Sequence, residues 1–340
     1  MYDVLTIGET MLRFTPIGGL RWEQAEQLQV HIGGSESNTA IGLSRLGHRV
    51  GWLSRLTDNA WGRKIANTIA YHGVDTRQVV WTTEDRIGTY YYEEACEPRG
   101  NQVMYDRAGS AFSNFSSKQL PVEVFEPNAS RWLHFTGISL GLGETCRGLI
   151  HRAVHLAKTA GWKVSFDVNY RGKLWSAQQA SQSCSQYFEM ADVVFLPIRD
   201  ARLLWGIGYD NEELERDPKS VAYRVATAMY DVMVGIMEKQ QKKSALVMTL
   251  GSHGACAMRG GSFWFAPTTS VPSVGRLGGG DAFTAGFLSG LIRSDDLESA
   301  LSWGNAAARL KYSIPGDIPF FSLSEVEKLV LGVSGQQPFR

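Results

Sequence analysis

Residues 276–287 read RLGGGDAFTAGF. Gly278, Gly279 and Gly280 run into one carboxylate, Asp281, and an apolar stretch with small residues begins there. Glycine tolerates positive φ and allows close backbone approach, so a glycine run can turn its N–H groups toward an anion. A helix start adds unsatisfied N–H donors and the positive end of the helix dipole. The stretch therefore reads as an anion hole at a helix N-terminus, with Asp281 inside it as a base. The spacing alone fits equally a tight turn in which Asp281 only caps the helix. Two absences narrow the class. No GxxxxGK[ST] is present, which excludes a P-loop, and no GxGxxG follows the first strand, which argues against a dinucleotide fold.

Outward from this stretch, short β-branched apolar runs recur: DVLTIG (3–8), VGWLSRL (50–56), WLHFTG (132–137), KVSFDVN (163–169), DVVFLP (192–197) and ALVMTLG (245–251). Helix-period stretches lie between several of them. One is 37–46, with Ala40, Leu43 and Leu46 on one face and Gly47 as its stop; another is 145–160. Such alternation predicts an α/β fold, a mostly parallel sheet flanked by helices. Residues 11–32 and 86–110 break the pattern. They read as strands without an intervening helix, the second as a hairpin with EPRGN (97–101) at its tip. Together they predict a small β-sheet lid over the end of the main sheet. Residues 209–243 read as a surface insertion around one long helix, and Ser322-x-x-Glu325 as a capping box opening a C-terminal helix.

The 340 residues, 44% hydrophobic and 20% charged, carry 34 basic and 34 acidic side chains. This balance speaks against nucleic acid or an anionic membrane as partner. No apolar run reaches spanning length, and the N-terminus reads as a first strand, with no basic stretch ahead of its apolar residues. Four scattered cysteines, Cys96, Cys146, Cys184 and Cys256, without CxxC, suit free thiols in a cytoplasmic protein.

The motifs, taken in order, resemble the ribokinase (PfkB-type) family of carbohydrate kinases. GGGDAFTAGF resembles its GAGD signature, GGSESNTAIGLSRLG (33–47) its N-terminal glycine-rich motif, and VMTLGSHGA (247–255) its nucleotide-side strand and turn. GETMLRFTP (8–16), YDRAGSAFS (105–113), FDVNYRGKLWS (166–176) and KYSIPGDIPF (311–320) resemble the 2-keto-3-deoxygluconate kinase subgroup. The resemblance runs from residue 2 to about residue 332, and a kinase domain over 1–335 containing the lid is the expected organisation.

The resemblance implies a set of roles. Asp281 takes the proton of the attacking sugar hydroxyl, and the N–H groups of Gly278, Gly279 and Gly280 hold the transferred phosphoryl. Tyr90, Tyr105, Arg107 and Arg171 contact the substrate, with Gly34 and Asn38 beneath it. Thr249, Gly251, Gly254 and Asn305 hold ATP, and Ala306 and Ala307 flank the base. Beside these stand plainer readings: a half-buried sheet surface for Tyr90–Tyr92, an ion pair with Asp167 for Arg171, and an amide packed between helices for Asn305. Alternation does place Tyr105 and Arg107 on one face of a strand.

Two positions depart from the family pattern. In FLPIRDARLL (195–204), Pro197 and Asp200 stand where an N-x-x-E motif linked to magnesium is usual, so the metal ligands are unassigned. Gly275 stands where an aspartate often precedes the signature. The expected reaction is ATP- and Mg2+-dependent phosphorylation of 2-keto-3-deoxygluconate at its 6-hydroxyl. A fructokinase-like specificity and a sugar-binding paralogue without turnover are the alternatives. An exposed lid edge offers a surface for homo-oligomer formation.

Overall fold

The computed structural model describes residues 1–95, 98–236, 244–275 and 277–332. The chain opens with β1 (Tyr2–Ile7), β2 (Met11–Pro16), β3 (Leu28–Gly33), helix α1 (Ser35–Arg45) and β4 (Val50–Leu53). Then come β5 (Arg55–Thr57), α2 (Ala60–Tyr71), β6 (Val80–Thr82), and the hairpin β7 (Thr89–Glu93) and β8 (Gln102–Asp106). The middle of the chain forms β9 (Ser130–Thr136), α3 (Gly137–Gly141), α4 (Glu144–Thr159), β10 (Lys163–Asp167), α5 (Ala177–Ser185) and β11 (Val193–Pro197). Three helices follow, α6 (Ile198–Trp205), α7 (Asn211–Arg216) and α8 (Pro218–Ile236). The last part holds β12 (Ala245–Thr249), β13 (Ala255–Arg259), β14 (Ser262–Ala266), α9 (Gly279–Ser294), α10 (Leu297–Tyr312) and α11 (Leu323–Val330).

Eight strands make one sheet in the order β14-β13-β12-β11-β10-β9-β1-β4. All pairings from β12 to β4 are parallel, and β13 and β14 join antiparallel at one edge. The apolar runs of the sequence are its central strands, covered on both faces, which is why Val193–Leu196 and Val4–Ile7 are buried without alternation. This is the ribokinase-like α/β fold. Connections leaving the C-terminal ends of parallel strands converge on one edge of such a sheet, where α/β proteins bind their ligands. Glu9 follows β1, Ile138 follows β9, Arg171 follows β10 and Thr249 ends β12.

The segments 11–32 and 86–110 supply a separate four-stranded sheet, ordered β3-β2-β7-β8. Tyr90 and Tyr92 point to its inner face, while Tyr91 stacks on Phe14 on the other, with ring centres 5.5 Å apart. In the hairpin tip EPRGN, Glu97 lies outside the described residues, as does Cys96. The remaining cysteines, Cys146, Cys184 and Cys256, are free and buried.

Both helices read from periodicity exist with shifted ends: α1 begins two residues earlier than 37, and α4 runs Glu144–Thr159. Gly47 takes φ 88° after α1. Glu325 accepts from the Ser322 N–H at 2.7 Å, the return bond of a capping box, and also from the Ser322 hydroxyl at 2.7 Å. One expectation is corrected. Residues 209–243 are no surface insertion, because α8 buries Val221, Val225, Met229 and Met233 in the main core beneath β12 and β13. An apolar stripe at i, i+4, i+8 is a core face, and the polar flanks concealed it. Residues 237–243 lie outside the described residues.

Candidate active site

Helix α9 carries the opening motif to the sheet edge. Gly286 and Gly290 let it approach α10 closely, for a Cβ at either would meet Trp303 or Ala300 within 3 Å. The three leading glycines have separate tasks. Gly278 is the N-cap in left-handed conformation, φ 72°, and the Asp317 carbonyl fills the space a side chain would need. A Cβ on Gly279 would lie 2.6 Å from the Tyr312 ring, and Gly280 faces open space. Ala282 N–H makes the first helical bond, to Gly278 O at 2.9 Å, so the N–H groups of Gly279, Gly280 and Asp281 precede the helical ladder. Asp281 is the third residue of the helix. It therefore does not cap it, which corrects the capping alternative.

The Asp281 carboxylate is buried and held from both sides. Ser35 Oγ donates to Oδ1 at 2.6 Å, and Asn38 Nδ2 donates to Oδ2 at 2.8 Å. Asn169 Nδ2 in turn donates to Ser35 Oγ at 3.0 Å, which aims the hydroxyl proton at Asp281. Burial raises the Asp281 pKa, while these two donors and the Arg171 charge oppose the rise. Behind it, Glu36 takes hydroxyl bonds of 2.8 Å from Thr136 and Ser139, and burial pushes its carboxyl up to about 7. Burial, then the charges of Asp281 and Asp200, pushes Asp167 well above the usual carboxylate range.

Two cavities meet at this helix start. The first, of about 210 Å3, lies between Asp281 and the inner face of the small sheet. Gly34, Asn38, Tyr90, Tyr105, Arg107 and Arg171 all line it, together with Gly278. Their states differ. Asn38 serves Asp281, as described. Tyr90 donates to Asp317 Oδ1 at 2.8 Å, and Asp317 Oδ2 lies 3.1 Å from Arg13 Nε, an ion pair without hydrogen-bond alignment. Arg107 is buried over the Tyr105 ring and ion-paired to Glu9, which also accepts from Ser110. Arg171 is exposed and makes no ion pair among the described residues, so the proposed pair with Asp167 does not form.

The second cavity, of about 250 Å3, lies on the other side of Gly279 and Gly280. Thr249, Gly251, Gly254 and Asn305 all line it. Asn305 donates to Ala266 O at 3.0 Å, so it ties α10 to the end of β14 and does not pack between helices. Ala306 and Ala307 do not line this cavity. Both are buried in the core, and the face of α10 toward the cavity carries Asn305, Ala308, Arg309 and Tyr312, at helical spacing.

The departures are structurally explained. Pro197 caps α6, and Asp200, fully buried, accepts from the Tyr170 N–H at 3.1 Å and from Arg199 Nε and Nη2 at 3.0 and 2.9 Å. No cluster of three His, Cys, Asp or Glu able to hold a metal exists among the described residues. Gly275 lies beside Pro315 and Gly316.

Several site residues escaped the sequence reading. Glu9, Ser35 and Asp317 stood inside quoted motifs as polar neighbours of glycines, which was the available signal. Lys311 was visible as a charge in the apolar register of Ala307 and Trp303. It is fully buried, donating to Ile314 O and Gly316 O at 2.8 Å each. The hydroxyl-rich run TTSVPS (268–273) also lines the second cavity, and no glycine motif marks it in the sequence.

A buried carboxylate at a glycine-led helix N-terminus, between a polar cavity and a hydroxyl-lined one, defines a phosphotransferase site. The chain belongs to the pfkB family of carbohydrate kinases, which matches residues 1–321. As such it transfers a phosphoryl group from ATP to a sugar hydroxyl. Among curated proteins it is similar to a 2-dehydro-3-deoxygalactonokinase of Haloferax volcanii, 35% identical over 97% of each chain. It is also similar to a 2-dehydro-3-deoxygluconokinase of Bacillus subtilis, 29% identical over 98% of this chain and 96% of the relative. The crystal structure of the Thermotoga maritima 2-dehydro-3-deoxygluconokinase superposes with a TM-score of 0.87 at 28% identity, covering 97% of this chain and 98% of the other.

Proposed function

We propose that the protein phosphorylates a 2-keto-3-deoxy sugar acid, 2-keto-3-deoxygluconate, at its 6-hydroxyl. The observation that carries this reading is the position of Asp281 and the Gly279–Gly280 turn between two cavities whose linings match a hydroxylated acid and a nucleotide. The sugar lies in the first cavity with its primary hydroxyl toward Asp281. As the hydroxyl oxygen bonds to the γ-phosphorus, its proton passes to an Asp281 oxygen and the bond to the β-phosphate oxygen breaks, releasing ADP. The N–H groups of Gly279, Gly280 and Asp281, at the positive end of α9, take the charge on the transferred oxygens. Ser35 and Asn38 hold the base in place.

The carboxylate of the substrate pairs with Arg171, the cation among the described lining residues that has no ion-pair partner. Arg107, neutralised by Glu9, orients hydroxyls beside Tyr105 and Tyr90, and Gly34 keeps the floor low. The small sheet acts as a lid, tethered by the Lys173 ammonium on Val103 O at 2.6 Å. Thr249, Gly251, Gly254 and Asn305 receive the nucleotide. The donor set does not fit a resident magnesium site, since Pro197 has no side-chain ligand, Asp200 is engaged by Tyr170 N–H and Arg199, and no acidic cluster stands beside it among the described residues. Magnesium enters bound to ATP, as part of the substrate. A cytoplasmic location suits free buried thiols, and no described helix is long and apolar enough to cross a membrane.

The Haloferax volcanii relative favours a second reading, in which the 4-epimer, 2-keto-3-deoxygalactonate, is the preferred acid. ATP-consumption assays over both acids and fructose test the reading. Turnover of either acid well above that of fructose supports it, and a preference for the neutral sugar refutes it.

A further inference from the structure

The nucleotide cavity is lined by glycines, hydroxyl side chains, an amide and apolar groups, and Arg309 is the sole charged side chain among its described lining residues. Its Nε is buried without a hydrogen-bond partner, and its guanidinium makes no ion pair among the described residues. Thr268 Oγ1, on the same wall, is likewise buried without a partner. A buried N–H left without a partner beside a cavity is costly unless a ligand supplies the acceptor.

Its place along α10 says which part of the ligand that is. Asn305, at the end of β14, and Tyr312, against Gly279, mark the two ends of the cavity wall. They are seven residues apart, about 10 Å along the helix. Tyr312 marks the end where the γ-phosphoryl is transferred, so Asn305 marks the base end. Arg309 stands one turn from Asn305 and just short of Tyr312, on the face they share. We infer that Arg309 is a nucleotide-binding residue that clamps the α- and β-phosphates of ATP and ADP, with Thr268 as a second donor. The inference rests on the assignment of this cavity to the nucleotide. Arg309 also borders a neighbouring hollow lined by Glu298, Ser302 and Asn305. A side chain turned into that hollow would not serve the phosphates.

Calorimetric titration of adenosine, AMP and ADP into the wild type, Arg309→Gln and Arg309→Lys separates the cases. Loss of a charge-assisted bond should weaken ADP by about 10- to 100-fold in the Gln variant. Adenosine, which carries no phosphate for the guanidinium to bind, should change by no more than about twofold. The Lys variant, which keeps charge and stem but not the planar fork, should recover part of the ADP affinity. Unchanged ADP binding, an equal loss for adenosine and ADP, or a Lys variant no better than Gln would overturn the inference while leaving the cavity assignment intact. A wild type that binds none of the three would overturn both.

Discussion

The two arginines of the sugar cavity should separate in their effects. Arg171 is exposed and makes no ion pair among the described residues, so on the proposed reading Arg171→Ala removes a substrate contact and little structure. A hydrogen bond to a charged group contributes about 1.5–3 kcal/mol, so kcat/KM for 2-keto-3-deoxygluconate should fall roughly 10- to 150-fold. A neutral hexose, with no carboxylate to lose, should be nearly unaffected. Arg171 also helps keep Asp281 ionised. That influence is common to both substrates, so the ratio of their losses reads the carboxylate contact. Arg107 differs, because it is the buried partner of a buried Glu9, whose side chain is 3% exposed. Arg107→Ala leaves that carboxylate uncompensated, a loss of about 3–5 kcal/mol. For a chain of this size that is roughly 4–7 °C in Tm. Adding Glu9→Gln should restore part of it, a coupling that a double-mutant cycle reads directly. Steady-state kinetics on an acid and a neutral sugar, with thermal melts of each variant, form the assay. Equal losses on both sugars for Arg171→Ala, or a melt as depressed as that of Arg107→Ala, would refute the division of roles.

Asp281→Asn should lower kcat by ~10²–10⁴-fold with the fold and ADP binding retained, since Gly278 and not Asp281 caps the helix; a variant keeping more than half its kcat would remove the base assignment. Excess chelator should reduce turnover to background and added magnesium restore it, because the metal travels with ATP; full activity without divalent ions would contradict this. Burial in the core lowers the His134 pKa to about 3, so the unfolded chain binds a proton below pH 6.5 that the folded chain refuses. Stability is present above 6.5 and is lost as pH falls toward 3. At pH 5 the loss from His134 is about 2 kcal/mol. Urea unfolding at pH 7 and pH 5 should show a smaller decline in His134→Gln than in the wild type, and identical declines would exclude the mechanism.

Local features of this protein were legible in the chain itself. Apolar runs bounded by turns mark the buried strands, because a strand covered on both faces has no polar side to show. The glycine triplet marks a backbone that must turn through positive φ at Gly278 and lie close to its neighbours, a demand met within a few residues. What each site side chain does was decided by contacts between residues distant in sequence. Ser35 and Asn38 reach Asp281 across 246 and 243 residues. Glu9 reaches Arg107 across 98, so a charge that looked available for substrate is already balanced. The flanks of α8 are polar, and its burial appears only once β12 and β13 lie above it. A motif records the backbone geometry and residue types that a reaction needs. Whether a given charge is free, paired or buried depends on what the remaining elements bring against it, and those elements meet only when parallel strands far apart in sequence pair and bring their C-terminal ends to one edge of the sheet.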